Sequence, residues 1–310
     1  MKEELVNITI DNQNISVPKG ITILEAAKKA GIDIPTLCFL KDINEIGDCR
    51  MCVVKVEGRR GFATSCIQKV EEGMVIKTHT PEIIEARHVM LDLIISNHDK
   101  DCLTCTRMGN CELQALASKF GIQTIEYKGE RKKHEIDNLS PSIVKDPNKC
   151  ILCRRCVAVC KNIQKVGAID CGNRGFDSSI STSYNKSLKD TNCVYCGQCI
   201  EACPTSALRE KENIDEVWAK LKDPDTYVVV QTAPAVRVAL GEEFKMPIGT
   251  NVTGKMVTAL KRLGFDKVFD TNTGADFTIM EEAHEFIERF KENDNIPMIT
   301  SCCPAWVRYI

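Results

Sequence analysis

The sequence predicts a modular α+β protein, in which small cysteine-rich modules precede one larger α/β segment. Fifteen of the 18 cysteines and one histidine form four groups at metal-ligand spacing, all before residue 204. A hairpin and a helix precede the first group, whereas strands and helices alternate after residue 226. Because a single hydrophobic core rarely serves 310 residues, we expect more than one domain.

Charge and hydropathy exclude several classes of protein. The net charge is −2 and no basic stripe is present, so nucleic acid is not an expected partner. No run of about eighteen apolar residues occurs, and Met1–Glu4 lacks the apolar core of a signal peptide, so we expect a cytoplasmic protein without a membrane span. In such a chain, repeated Cys-x2-Cys spacing favours reduced, metal-binding thiolates over disulfides.

The first module is predicted to be a β-hairpin followed by a helix. Val6–Ile10 and Ile15–Val17 alternate apolar and polar residues across a turn-forming segment. Thr22 and Glu25 form a capping box, and Gly31 is the expected helix stop.

Four unevenly spaced cysteines follow, with Gly47 in the loop between them and short strands expected at Met51–Val56 and Met74–Lys77. Such spacing suits a loop wrapped around a [2Fe-2S] cluster, whereas zinc favours paired knuckles. We therefore predict a β-grasp, plant-type ferredoxin-like domain over residues 1–79, with zinc as the alternative. Its ligands are Cys38, Cys49, Cys52 and Cys66.

A second small domain is predicted over residues 80–121. Thr80 and Pro81 begin a helix whose apolar stripe is predicted to contain Ile84, Met90, Leu91 and Ile94. This helix leads to a Cys3His group, which suits zinc or a [4Fe-4S] cluster equally when judged alone. The neighbouring groups favour iron. The ligands are His98, Cys102, Cys105 and Cys111.

After a polar linker, residues 122–145, the only internal repeat predicts a two-cluster bacterial ferredoxin-like domain over 146–210. In this arrangement the fourth cysteine of each half binds the other cluster. Cys171, between the halves, is predicted to be a spare thiol. One cluster is assigned Cys150, Cys153, Cys156 and Cys203, and the other Cys193, Cys196, Cys199 and Cys160.

The terminal segment, residues 211–310, is predicted to be α/β with a parallel sheet. We expect a buried strand at Val228–Val230, a helix at Val252–Leu263 and a strand at Lys267–Phe269. A helix over 275–291 and a strand at Met298–Ile299 should follow. Active sites lie beyond the carboxyl ends of such strands, where Cys302 and Cys303 follow. From the pattern alone, this pair is either redox-active or buried.

The cluster order and three further motifs closely resemble the [FeFe]-hydrogenases over the whole chain. The motifs are Thr232–Glu242 (TAPAVRVALGE), Thr278–Ala283 (TIMEEA) and Thr300–Trp306 (TSCCPAW). The resemblance implies an H-cluster, a [4Fe-4S] cube joined to a diiron unit that carries CO and CN ligands. It implies that Cys303 binds the cube and that Cys302 is the proton donor and acceptor.

The resemblance also implies that Glu282 and Glu285 continue a proton path and that Ala233 and Pro234 line the pocket. Helix geometry places Glu282 roughly 75° and Glu285 roughly 135° from the centre of the apolar face. Glu285 is therefore equally suited to a surface pair with Arg289. The predicted buried face consists of Ile279, Ala283, Phe286 and Phe290.

The family supplies three further H-cluster cysteines from later segments, and this sequence has no cysteine after Cys303. We therefore expect an incomplete catalytic domain and a chain that is inactive alone. The leading hypothesis is an iron-only hydrogenase that reversibly reduces protons to dihydrogen. Its expected electron partners are ferredoxin, or flavin and iron-sulfur subunits that oxidise NAD(P)H. The alternatives are an electron-transfer subunit similar to the complex I large iron-sulfur subunit or formate dehydrogenase, and a hydrogen sensor.

Overall fold

The computed structural model describes residues 4–310, so the first three residues of the predicted 1–79 domain lie outside the described residues. The chain divides into two units. The first unit extends to Lys211 and also includes Cys303–Ile310, and the second is Glu212–Cys302. No helix within residues 4–310 is both long enough and apolar enough to cross a membrane.

The first unit begins with a five-stranded sheet of order β2-β1-β5-β3-β4. The β1–β2 hairpin turns at Asp11 (φ 46°) and Asn12 (φ 69°), and two positive φ angles are what a tight hairpin turn needs. Strand β5 runs parallel to β1 and antiparallel to β3. The strands are β1 (Leu5–Ile10), β2 (Gln13–Pro18), β3 (Val53–Val56), β4 (Ala63–Thr64) and β5 (Val75–Lys77).

Helix α1 (Ile23–Lys29) covers one face of this sheet and begins at the predicted capping box. The Thr22 hydroxyl accepts from the Glu25 amide at 3.2 Å, and the Glu25 carboxylate accepts from the Thr22 amide at 2.9 Å. Ile23, Ala26 and Ala27 of α1 are buried in the core. Cys52 and Cys66 belong to the same core, so the first ligand group is built on the sheet.

Helix α2 (Pro81–Ser96) begins at Thr80 as predicted, and α3 (Glu112–Lys119) follows Cys111. The predicted apolar stripe of α2 is partly wrong, because Ile84 is exposed and Ile83 is buried in its place. Met90 and Ile94 pack beside buried Leu91 in a second core. The buried face differs from the predicted apolar stripe because it also includes the polar residue Arg87. The Arg87 guanidinium donates to the Val53 carbonyl at 2.7 Å.

The ferredoxin-like region is framed by β6 (Ile143–Lys145), which pairs antiparallel with β9 (Leu208–Glu210). Each half contains a short helix, α4 (Arg155–Ala158) and α5 (Gln198–Glu201), and a π-helical turn continues α4. The insertion between the halves forms a small hairpin of β7 (Asp170–Gly172) and β8 (Ser179–Ser181). Cys171 lies in β7 and packs against the core of this region.

The second unit contains α6 (Ile214–Leu221), β10 (Val229–Thr232), α7 (Val236–Glu243), α8 (Thr253–Leu263), β11 (Lys267–Asp270) and α9 (Thr271–Glu292). Strands β10 and β11 pair in parallel, as predicted. Gly264 (φ 114°) ends α8. In the first unit, helix α10 (Pro304–Tyr309) begins after Cys303.

Three predictions for the second unit are wrong. The strand at 228–230 is not buried, since Val229 is 52% exposed. Residues 298–299 form no strand, because no neighbouring strand pairs with them within residues 4–310. The predicted apolar face of α9 is exposed, because no described element covers it. The four residues of that face are Ile279, Ala283, Phe286 and Phe290.

Candidate functional site

The first ligand group lies on a tightly folded loop beside the sheet. Cys38, Cys52 and Cys66 are buried, Cys49 is half-buried, and the Sγ atoms of Cys52 and Cys66 are 3.3 Å apart. The loop turns at Gly47 (φ 66°), where a Cβ atom would lie 3.0 Å from Thr64 Cγ2. Only glycine meets both requirements, which explains its position between the first two ligands.

The four thiols of this group interact in two pairs. Hydrogen bonding between Cys38 and Cys49 lowers the pKa of Cys49 to about 6 and raises that of Cys38. In the same way, Cys66 lowers the pKa of Cys52 to about 7, and its own pKa is raised. Without a cluster, each pair therefore gives up one proton readily and retains the other, and binding iron requires that all four thiols lose their protons.

The second group combines buried and accessible ligands. His98 is 8% exposed, and its Nδ1 atom has no hydrogen-bond partner within residues 4–310. Burial lowers the pKa of His98 to about 4, so the imidazole is neutral and free to bind iron at neutral pH. Cys102 is exposed, whereas Cys105 and Cys111 are half-buried. Sequence spacing indicated the ligands, and the orphaned Nδ1 atom supports the role of His98.

The two ferredoxin halves share one loop conformation. Leu152 (φ 55°) and Arg154 (φ 59°) adopt the left-handed region in the first loop, and Tyr195 (φ 56°) and Gly197 (φ 76°) occupy the matching positions in the second. This conformation turns backbone amides inward, and the Leu152 amide donates to Cys150 Sγ at 3.4 Å. Inward amides form an anion-binding concavity, which suits a sulfide-rich cluster.

The chain also brings together cysteines from opposite halves, in the crossed arrangement expected of a two-cluster ferredoxin. Burial, together with the nearby Cys193, Cys196 and Cys160, raises the pKa of Cys199 to about 12. Burial likewise raises the pKa of Cys150 to about 11. One cavity is lined by the four cysteines assigned to the first cluster, Cys150, Cys153, Cys156 and Cys203.

Several contacts between the three cluster regions were not predicted from the sequence. Buried Asn44 donates from Nδ2 to the Cys38 carbonyl at 2.7 Å and to the Cys153 carbonyl at 3.0 Å. Buried Arg155 forms a two-pronged ion pair with Glu112, at 2.7 and 2.9 Å. These partners are far apart in sequence, so no local pattern reveals them.

The second unit positions its predicted site residues on loops and on α9. Ala233 and Pro234 follow β10 and are exposed. Thr300 donates to the Glu282 carboxylate at 3.1 Å, which brings Glu282 close to the segment that leads to Cys302. Glu285 pairs with Arg289 on the surface of α9. The structure thus associates Glu282, but not Glu285, with the TSCCPAW motif.

The two cysteines of that motif lie on either side of the unit boundary. Cys302 is exposed and is the last residue of the second unit. Cys303 belongs to the first unit, where it is the N-terminal cap residue of α10.

The donor sets fit iron-sulfur clusters in the first unit. Three sets of four thiols and one set of three thiols with an imidazole match known cluster ligation, and these thiols are free rather than paired in disulfides. Within residues 4–310, no three such side chains converge on one point as the ligands of a single ion would. For the H-cluster, the described residues offer Cys303 alone among the expected cube ligands, which does not fit a complete site.

Four family models match the chain in succession. Residues 3–81 match a 2Fe-2S iron-sulfur cluster binding domain, and residues 87–126 match an NADH-ubiquinone oxidoreductase-G iron-sulfur binding region. Residues 140–209 match the ferredoxin-like domain of NADH-quinone oxidoreductase subunit 3. Residues 226–310 match the C-terminal domain of the iron only hydrogenase large subunit. The chain therefore combines [2Fe-2S] and [4Fe-4S] binding regions with an H-cluster domain region.

Two individual relatives match nearly the whole chain. The chain is 49% identical to the NADP-reducing hydrogenase subunit HndD of Solidesulfovibrio fructosivorans, over 98% of this chain and 54% of that protein. It is 41% identical to iron hydrogenase 1 of Clostridium pasteurianum, over 97% of this chain and 53% of that protein. The chain thus spans about half the length of these curated relatives.

A solved structure resembles only part of the chain. A chain from an NAD+-reducing [NiFe]-hydrogenase in the H2-reduced state aligns with a TM-score of 0.62 and 30% identity, over 66% of this chain and 87% of that one. HndD and iron hydrogenase 1 both match nearly the whole chain, and both are hydrogenases. Together with the hydrogenase region at residues 226–310, they show that the chain belongs to the iron-only hydrogenase family.

Proposed function

We propose that this chain carries the electron relay and part of the catalytic domain of an iron-only hydrogenase, which reversibly reduces protons to dihydrogen. The observation that carries the proposal is the order of the chain, in which four ligand groups precede a hydrogenase region that contains TSCCPAW. An enzyme that moves electrons needs such a series of redox sites leading to its reactive centre. The predicted divisions at 1–79, 80–121, 122–145, 146–210 and 211–310 are part of this proposal.

The relay is proposed to hold one [2Fe-2S] and three [4Fe-4S] clusters, about fourteen irons per chain. Cys38, Cys49, Cys52 and Cys66 would hold the first, and His98 with Cys102, Cys105 and Cys111 the second. Each of the two ferredoxin clusters would bind three cysteines from one half of the repeat and the fourth cysteine from the other half. Support comes from the cavity shared by Cys150, Cys153, Cys156 and Cys203 and from the unpartnered His98 Nδ1 atom.

The second unit is proposed to supply proton-handling residues. When bound in the complete enzyme, the H-cluster supplies the metal site at which protons and electrons combine. Cys302 is exposed, and a thiol that is not a metal ligand is chemically able to accept and release protons. Glu282 would extend this path, since its carboxylate is linked to Thr300. Glu285 would lie further along this proton path toward solvent. Ala233 and Pro234 would line the wall of the H-cluster pocket.

The proposed electron partners are ferredoxin or NAD(P)H-oxidising flavin and iron-sulfur subunits. The similarity to an NADP-reducing hydrogenase subunit supports the second kind of partner. Because free thiolates bind iron only while they remain reduced, the proposed location is the cytoplasm.

A second candidate is an electron-transfer subunit without chemistry of its own. It is favoured by the two complex I-type matches, which cover residues 87–126 and 140–209. The match of residues 226–310 to the hydrogenase large subunit favours the first proposal over this one.

Infrared spectroscopy of a maturated, full-length version separates the two candidates. Bands of metal-bound carbon monoxide and cyanide are expected if the protein is a hydrogenase. Full loading of the accessory clusters without these bands would contradict the first proposal and support the electron-transfer subunit. Zinc in place of iron after anaerobic reconstitution would contradict both.

A further inference from the structure

Helix α10 lies on the second ferredoxin loop, Cys193–Cys199, within the first unit. Arg308 of this helix donates from Nε to the Cys193 carbonyl at 2.9 Å and from Nη2 to the Thr191 carbonyl at 3.3 Å. Its guanidinium carbon lies 4.6 Å from the centre of the Tyr195 ring. Three contacts from one side chain therefore hold a cation beside a proposed cluster loop.

The two ferredoxin loops differ in the charge beside them. The first loop contains Arg154 and Arg155, and each is paired with a carboxylate, Asp48 at 3.1 Å and Glu112 at 2.7 Å. The second loop contains no charged residue between Cys193 and Cys199. Its cation is Arg308, which forms no ion pair with a carboxylate in the part of the chain that the structure describes. The two arginines of the first loop are thus paired, and Lys145 lies near Asp137 at the cavity of the first-loop cysteines. The second loop has Arg308 as a cation beside it, and the loop itself supplies none.

A nearby cation stabilises the reduced form of a cluster, because reduction adds one negative charge to it. Tyr195 and Leu152 occupy matching left-handed positions, so the loops themselves have similar backbone conformations. Arg308 therefore adds its charge to a loop whose own sequence supplies none.

We propose that Arg308 is a positioning residue that places its charge on the second loop and raises the reduction potential of the cluster there. An electron that reaches this cluster, beside the helix that begins after Cys303, is then held more strongly than it would be without Arg308. The inference rests on the proposed function only in requiring that both loops bind [4Fe-4S] clusters.

The test compares cluster potentials in the anaerobically reconstituted 310-residue chain, by redox titration with dithionite monitored by electron paramagnetic resonance. Cys196→Ser identifies the signal of the second-loop cluster. In Arg308→Met, which keeps the stem and removes the charge, that signal should titrate at a more negative potential while the other clusters do not shift. Arg308→Lys, which keeps the charge, should restore most of the potential. An unchanged potential in Arg308→Met overturns the proposal.

Two measurements exclude a merely structural effect. Asp48→Asn leaves the positive charge of Arg154 without its carboxylate partner. The signal of the first-loop cluster should then titrate at a less negative potential, and the signal of the second-loop cluster should not shift. In the unaltered chain, the potential of the second-loop cluster should become more negative as salt is added, because Arg308 is exposed and its field is screened. A salt-independent potential of this cluster overturns the proposal even if Arg308→Met loses iron. Absence of carbon monoxide and cyanide bands in the full-length protein would leave these titrations unaffected.

Discussion

The two units of the chain bury very different amounts of apolar surface. In the first unit, three cores surround loops whose cysteines are mostly buried or half-buried. In the second unit, Val252 and Met256 are buried, whereas Phe277 is 65% and Met280 69% exposed. A cluster-binding loop is organised by nearby residues, but an α/β layer needs a second apolar surface to pack against. The comparison shows that similar sequence periodicity produces burial only where such a surface is present.

The strongest test of this comparison replaces a buried ligand of the first unit. Cys156→Ser should remove one cluster, about four of the roughly fourteen irons per chain, because a cube without its fourth thiolate is not retained. Amide hydrogen exchange should rise across Cys150–Cys203 and stay unchanged in α8 of the second unit. Cys171→Ser is the matched control and should retain all the iron. Equal iron loss in both variants would show that Cys171 is not a spare thiol.

The second test asks whether the second unit contributes chemistry rather than stability. In a maturated, full-length version, Cys302→Ser should reduce hydrogen turnover by about 10²- to 10⁴-fold, because proton transfer loses its donor. Iron content should not change, since Cys302 is not a proposed cluster ligand. Glu285→Gln should have a much smaller effect, because that carboxylate is paired with Arg289. Normal turnover in Cys302→Ser would remove it from the proton path.

A third test compares one ion pair from each unit. Glu112→Gln leaves the buried Arg155 guanidinium without its carboxylate and should lower the free energy of unfolding by about 1–3 kcal/mol. The half-exposed position of Glu112 accounts for a value below that of a fully buried pair. Glu285→Gln, which breaks an exposed pair on α9, should cost about 0.5 kcal/mol or less. Denaturant titrations give both values, and equal losses would contradict the difference in burial between the units.

The smallest expected effect concerns the cap of α1. The Thr22 amide donates to Glu25 and lowers the pKa of that carboxyl below its ordinary value of 4.5. A lowered pKa means that the charged form stabilises the fold above pH 4.5 and that this contribution is lost as the pH falls through the folded-state pKa. Glu25→Gln keeps a hydrogen-bond acceptor but loses the charge, so it should cost about 0.3 kcal/mol at neutral pH and less under acidic conditions. A pH-independent difference between the two proteins would contradict this account.

Local patterns predicted many local features of both units. The hairpin, the α1 capping box, the Thr80–Pro81 helix start and the Gly264 stop all depend on residues within a few positions of one another. The crossed cysteine sets were predicted from the repeat, because ferredoxin ligation follows a fixed spacing. The assignment of individual ligands stays a prediction.

The errors arose where burial depends on distant partners. Ile83 rather than Ile84 faces the core, since Arg87 reaches across to β3. The apolar face of α9 and the segment 298–299 were expected to pack into a larger sheet, and the described residues of the second unit provide only the two parallel strands β10 and β11. Asn44, Glu112 and Arg308 contact residues far away in sequence, so no spacing rule identifies them.

The bridging amide of Asn44 has a consequence for the evolution of chains like this one. One acceptor is the Cys38 carbonyl in its own module. The other is the Cys153 carbonyl, which lies 109 residues further along the chain in the ferredoxin-like region. A recombination event that exchanged the amino-terminal module alone would separate a donor from its acceptor and leave a buried carbonyl without a partner. These modules should therefore be inherited together, and chimaeras joined between them should fold poorly unless the incoming module carries an equivalent amide.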